Sequence, residues 1–394
     1  MSQSLDPDVV GLFRTLQKDW KVRLLEVPTR RRLAVGVQRS AKYGLAAIFY
    51  YSGLTGLLLG KLLHAGKRAL ILGYHGVSDS PPILLSRGHA LQNVEALLRF
   101  LSRHLPCFPL SRIAGALQNG EAPPPGFAVT FDDGLVNNVL LAIPLLERMG
   151  IPATFFVPSG LIGFQQDLWP VQVREIAYAW REAAIPAEAG LWPELPVRDE
   201  EGRYVAVHRM KQALKRNQSR RGELLAELAR KGQGAPRPPE MDRVVDGDLL
   251  RRMVQPGYSV GAHSRTHPIL AGINPTEARE EIAGSRRELE QLLGVEVLDF
   301  AYPNGRFSDF DQTTRELVAE AGYRCAVTTE PGTVRRGDDP LALRRCMPED
   351  VPTFLASFDL LLRIWKDRRR PADGSRPVGN RTSHLPPPDA EDAA

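Results

Sequence analysis

The chain has 394 residues, 43% hydrophobic and 25% charged, which is ordinary for a globular protein and ample for one large core or two smaller ones. A net charge of +5 and a pI near 9.1 permit a polyanion or an anionic membrane surface as partner without requiring either. Cys107, Cys325 and Cys346 lie far apart with no CxxC pair, which argues against a disulfide framework and suits a reducing compartment.

The first 20 residues carry Asp6, Asp8 and Asp19 and no apolar run, so no cleavable signal peptide is expected. Residues 43–60, "YGLAAIFYYSGLTGLLLG", are uncharged and follow a stretch from Lys21 to Lys42 with seven basic residues against one acid, Glu26. A spanning helix needs about 20 strongly apolar residues, and this run holds four glycines, a Ser and a Thr. Three readings stay open: a span, a helix lying on a membrane surface, and a helix packed on the rest of the chain, the last preferred. The expected location is cytoplasmic, with residues 43–60 as the place where either membrane reading would act. A true span would place the bulk of the chain outside, because the basic flank keeps the N-terminus inside.

From residue 69 short apolar runs alternate with helical patterns. "ALILGYH" (69–75), "FAVTF" (127–131), "ATFFV" (153–157), "YSVGAH" (258–263), "VLDFAYP" (297–303) and "CAVTT" (325–329) read as buried strands. The clearest helix is "NPTEAREEIAGSRRELEQLLG", with Asn274 as N-cap, Pro275 at the first position, Glu277 in a box-like pattern and Gly294 as its end. Alternating strands and helices predict an α/β fold with a largely parallel sheet, open or closed into a barrel. The regularity breaks over about 166–245, a Trp- and Pro-rich stretch that reads as a mostly helical insertion. Six basic residues and no acid fall between Arg209 and Arg221. They form either a groove for a polyanion or lipid headgroups, or a solvated face, the commoner fate of charge runs. The expected organisation is an N-terminal helical segment (1–66), an α/β domain that contains the insertion (67–350), and a C-terminal helix with a disordered Pro- and Arg-rich tail (351–394).

Two like charges end one of these strands, at "FAVTFDDGLVNN". Alternation along a strand sends Asp132 and Asp133 opposite ways, and C-terminal strand ends are where α/β sites are built. One carboxylate can then hold a cation while the other faces substrate. "GAHSRTHPIL" offers the remaining ligands, His263 and His267, four residues apart and on one face if the turn is helical. Asp133 with two histidines leaves a fourth position for water, the pattern of catalytic zinc, and Asp132 is placed to take a proton. The turn Tyr302-Pro303-Asn304-Gly305 follows another strand and can aim backbone N–H groups at the same mouth to stabilise an oxyanion. Alone, each motif is also an ordinary turn or an incidental histidine pair.

Together these residues resemble the polysaccharide deacetylase family, also called the NodB-homology or carbohydrate esterase four family. Thr130-Phe131-Asp132-Asp133-Gly134 matches its first motif, His263-Ser264-Arg265-Thr266-His267 its second, and Phe300 to Gly305 part of its third. The resemblance covers roughly 69–165 and 245–347. It implies a distorted (β/α) barrel, a divalent metal, usually zinc, and hydrolysis of an acetyl group on a sugar. It assigns Asp132 as general base and Asp133, His263 and His267 as ligands. Two departures stand out. Ala301 occupies the place of an arginine that contacts the base, for which Arg306, Arg344 or Arg345 are candidate substitutes. The late Leu-x-x-His that protonates the leaving amine is not found, and His75, at the end of the first strand in "LGYHGV", is the candidate donor or else a structural histidine.

The leading expectation is a metal-dependent deacetylase for an amino-sugar of a cell-envelope glycan or lipid-linked saccharide. The alternatives are a small-molecule amide or formamide hydrolase and a non-catalytic barrel that binds glycan or membrane. No zinc-finger spacing or aromatic RNA-binding motif points to nucleic acid.

Overall fold

A computed structural model describes residues 32–79, 88–163, 166–232 and 237–370. The first 31 residues and the tail from 371, where the signal-peptide and disorder expectations fall, lie outside them.

Each of the six expected runs forms a strand: β1 (Arg68–Tyr74), β2 (Gly126–Phe131), β3 (Ala153–Val157), β4 (Tyr258–Ala262), β5 (Asp299–Ala301) and β6 (Cys325–Val327). A seventh, β7 (Val334–Arg335), pairs antiparallel with the start of β1. The order across the sheet is β6-β5-β4-β3-β2-β1-β7, and all pairs but the last are parallel. The segment Leu343–Cys346 bridges β6 through Val327 and β1 through Leu72, both in parallel, and so fills the gap between the two ends of the curl. The result is a distorted (β/α) barrel. β1, β2 and β3 are buried along their whole length, the burial expected of strands covered on both sides.

The helix after Asn274 starts as its sequence indicates. The Asn274 side chain accepts from the Glu277 N–H at 2.9 Å, Pro275 takes the first position, and Gly294 closes it with φ 69°. Between Pro275–Arg279 and Ser285–Leu293 one wider turn, Glu280–Gly284, interrupts the helical ladder.

Residues 43–60 straddle two helices, Arg32–Tyr51 and Leu54–Gly66, broken at Ser52–Gly53. Among the described residues no single helix is long and apolar enough to cross a membrane, and this pair is bent by 82°. Ala46, Leu59 and Leu63 are buried in the same core as Phe354, Leu355 and Phe358 of the helix Thr353–Asp367. Leu45, Ile48, Tyr51 and Leu57 face outward.

The insertion builds a small core of its own, from Trp169 to Leu228, around Trp180, Trp192, Met210 and Leu214. It is clasped to the barrel by polar contacts. Lys215 Nζ lies 2.7 Å from Asp309 Oδ1, and the Gln218 amide pairs with both backbone groups of Ile269, at 2.6 and 2.9 Å.

Candidate active site

The two aspartates are separated by the turn after the strand and not by the pleat. β2 ends at Phe131, and Asp133 and Gly134 both take left-handed backbone, with φ 72° and 56°. Gly134 is required there, since a Cβ would sit 2.8 Å from the Val157 methyls. Asp132 stays tied to β1 through its N–H to Tyr74 O at 2.8 Å.

The histidine pair is likewise assembled by a loop: of the turn or helical coil that the spacing allows, the structure has the turn. Residues 263–269 have no helical turn, and Ser264 and His267 are left-handed. Of five non-glycine residues with positive φ among those described, Asp133, Ser264, His267 and Asn304 all belong to this site. Each costs about 1–2 kcal/mol, so packing must enforce them. Glu281, carried on the wide helical turn, does so for the loop. Its carboxylate accepts the N–H groups of Arg265 and Thr266 at 2.8 Å and the Thr266 hydroxyl at 2.7 Å.

Asp133, His263 and His267 converge, all buried, with their ligand atoms within 4.8 Å of one another. Asp133 Oδ1 is 3.8 Å from His263 Nε2 and 3.5 Å from His267 Nε2. Ligands about 2.0–2.1 Å from a tetrahedral zinc stand roughly 3.3 Å apart, so the donor set fits a divalent cation with slight closing. His263 Nδ1 bonds Ala301 O at 2.7 Å, which leaves Nε2 to face the cluster.

Arg345 is the residue that meets Asp132. Its Nη1 and Nη2 each lie 2.7 Å from one carboxylate oxygen, its Nε donates to Thr328 O, and its side chain is fully buried. Burial pushes the Asp132 carboxyl up, but this fork outweighs it, with His263 and His75 adding to the effect, and holds the group below the ordinary carboxylate range. Arg345 therefore fills the part that Ala301 leaves open. The other two candidates do not reach Asp132. Arg306 is exposed, with its backbone N–H on Asp309, and Arg344 lies over the Phe307 ring and donates to Pro331 O.

A cleft of about 260 Å3 opens above the cluster, lined by Asp133 and His267 together with His75 and Asn304. Asn138 Nδ2 holds the His75 carbonyl at 2.8 Å, and Asn137 Oδ1 accepts from Val77 N, so both asparagines of "DDGLVNN" brace the exit of β1. Of the expected oxyanion turn, only Asn304 lines this space, and its buried Nδ2 has no hydrogen-bond partner among the described residues. The Tyr302 N–H is spent on Val327 O and its ring stacks on Phe310, Pro303 has no N–H, and the Gly305 N–H turns back to Pro303 O. Those three form the wall behind Asn304 and give no donor.

The cleft's other wall comes from the insertion: Trp169, His208, Lys211, Gln212 and Lys215. Lys211 and Lys215 belong to the basic run between Arg209 and Arg221, and His208 is the one histidine between His104 and His263. It sits outside the region after His267 where a proton donor is expected by resemblance. The basic run that contains these lysines divides. Lys211 and Lys215 line the cleft, while Arg220 is surface-exposed near Glu223.

Residues 119–326, over half of the chain, match the sequence profile of the polysaccharide deacetylases. The chain belongs to the polysaccharide deacetylase family. YxkH of Bacillus subtilis (strain 168), named after the same family, is 30% identical over 98 residues, which span 25% of this chain and 34% of that protein. Among solved structures, the Streptococcus pyogenes deacetylase PplD in complex with acetate aligns over 75% of this chain and 98% of its own, at 18% identity and a TM-score of 0.48. IcaB from Ammonifex degensii aligns over 75% and 97%, at 19% identity and the same TM-score.

Proposed function

We propose that this polysaccharide deacetylase hydrolyses the N-acetyl group, or another small acyl group, of an amino-sugar in a cell-envelope polysaccharide or lipid-linked saccharide. The observation that carries the reading is the buried Arg345–Asp132 fork next in the chain to the Asp133, His263, His267 cluster, of which Asp133 and His267 line the cleft. A chain that only bound glycan would have no use for a base held ionised next to a cation site.

A divalent cation, zinc by preference for one carboxylate and two imidazoles, would be held by Asp133, His263 and His267, and there supplies polarisation of the acyl carbonyl and a more acidic water. Asp132 accepts the proton of the attacking water, and the Arg345 fork keeps its carboxylate both oriented and ionised. Asn304 Nδ2 offers a donor where negative charge develops on the carbonyl oxygen. His75, on the rim of β1, delivers a proton to the amine nitrogen as the C–N bond breaks, which releases carboxylate and free amino-sugar.

Metal analysis of the purified protein together with a deacetylation assay on N-acetylglucosamine oligomers tests the reading. The expected result is roughly one zinc per chain and acetate release, both lost in His263→Ala, His267→Ala. A protein that takes up no cation even when zinc is supplied would overturn it.

A further inference from the structure

The insertion helix Glu200–Arg216 carries two adjacent rows of side chains. His208 and Lys215, seven residues apart, face the reaction cleft. Arg209 and Arg216, also seven apart and about 100° further round the helix, line a second basin of about 310 Å3 walled by Trp192. Two turns of helix nearly equal seven residues, so each row keeps to one side. His208 and Gln212 belong to the walls of both spaces, which makes the basin an extension of the cleft over the same helix.

Charge distinguishes this basin from a merely solvated face. Its lining contains two arginines and a histidine and no carboxylate. Among the described residues no acid pairs with Arg209 or Arg216, whereas the neighbouring cations are spent: Lys215 on Asp309, Arg221 over the Trp169 ring. Helix Gln218–Lys231, which follows, binds its own cations through Lys231–Glu227 and Arg220–Glu223 pairs. Two guanidinium groups aimed into one concavity raise its potential and match the paired oxygens of an oxyanion.

We propose that this basin is a subsite for an oxyanionic group, phosphoryl or carboxylate, carried on the unit of the substrate next to the sugar that reacts. The inference rests on the deacetylase reading of the cleft. It narrows the substrate to anionic amino-sugar conjugates, in which the acyl group enters the cleft and the charged neighbour lies across Arg209 and Arg216.

The test compares the parent with Arg209→Ala, Arg216→Ala on three acetylated probes: neutral triacetylchitotriose, UDP-N-acetylglucosamine carrying a pyrophosphate, and a hyaluronan tetrasaccharide carrying carboxylates. The double variant is expected to raise KM for a charged probe at least about tenfold more than for the neutral one, with kcat little changed, and Arg209→Lys, Arg216→Lys to recover part of the loss. The charged probe that responds identifies the phosphoryl or the carboxylate source. Equal changes on all three probes would overturn the subsite. Calorimetric titration of inorganic pyrophosphate into parent and variant needs no turnover and separates the two readings. Weaker binding by the variant supports the subsite even if no probe is hydrolysed, and equal binding by both, with no probe preference, removes it.

Discussion

The floor of the cleft and its outer wall hold their polar groups by opposite means. On the barrel, Asp132, Asp133 and His263 are each 1% exposed, and four residues of the site are forced into left-handed backbone. Arg345, Glu281, Asn137 and Asn138 spend their hydrogen bonds on keeping them there. On the insertion, His208, Arg209 and Arg216 are exposed and placed only by the helix repeat. Chemistry at a carbonyl needs atoms fixed to fractions of an ångström, and buried, over-determined loops provide that. Recognition of a charged neighbour tolerates looser placement, which a solvent-facing helix on a separate small core supplies.

That contrast can be broken first at the proton donor. His75→Gln on the barrel rim is expected to lower kcat by about 10²–10⁴-fold, and His208→Gln on the insertion by less than about tenfold. Steady-state kinetics on an N-acetylglucosamine oligomer decide it. The reverse order would move the donor onto the insertion and dissolve the division of labour.

Next comes the buried pair. Arg345→Met strands Asp132 in the core and is expected to cost about 3–5 kcal/mol of stability in urea unfolding, besides lowering turnover. Arg345→Lys keeps the charge without the fork and is expected to fall between. An Arg345→Met variant as stable as the parent would show that the fork is not what holds the rim.

The smallest expected effect concerns Asp299 on β5, which burial raises to about 6. Its folded value lies above the ordinary 3.8, so the neutral form is the one the fold favours. The associated stability is full below about pH 4 and is lost as pH rises through about 6. Asp299→Asn is therefore expected to gain up to about 2–3 kcal/mol over the parent at pH 7.5 and little at pH 4. Denaturant midpoints at the two pH values measure it, and an equal difference at both would remove the cause assigned here.

How much of this was legible in the sequence follows the same division. The six core strands read correctly because buried parallel strands are apolar runs bounded by turns, with only the start of β4, Tyr258–Ser259, less than buried. Asp132, Asp133, His263 and His267 were legible because each pair stands at a strand end. The means of their convergence was not, since left-handed turns at Asp133, Ser264 and His267 leave no periodic trace. Arg345 was one of three candidate arginines. Nothing local separates it from Arg344, because the choice is made by the Leu343–Cys346 segment filling the gap between β6 and β1. His208 was invisible as a site residue and Lys211 legible only as one of a basic run, because a charged helix reads alike whether it faces solvent or a cleft.

The central claim is that Asp132 is the base and Asp133, His263 and His267 are a separate cation site beside it. Asp132→Asn, assayed for zinc content and for acetate release in one preparation, tests this most directly. The expected result is zinc retained at the parent's stoichiometry with turnover lost. An Asp132→Asn protein that still deacetylates at near the parent's rate, or one that loses its zinc along with its activity, would contradict it.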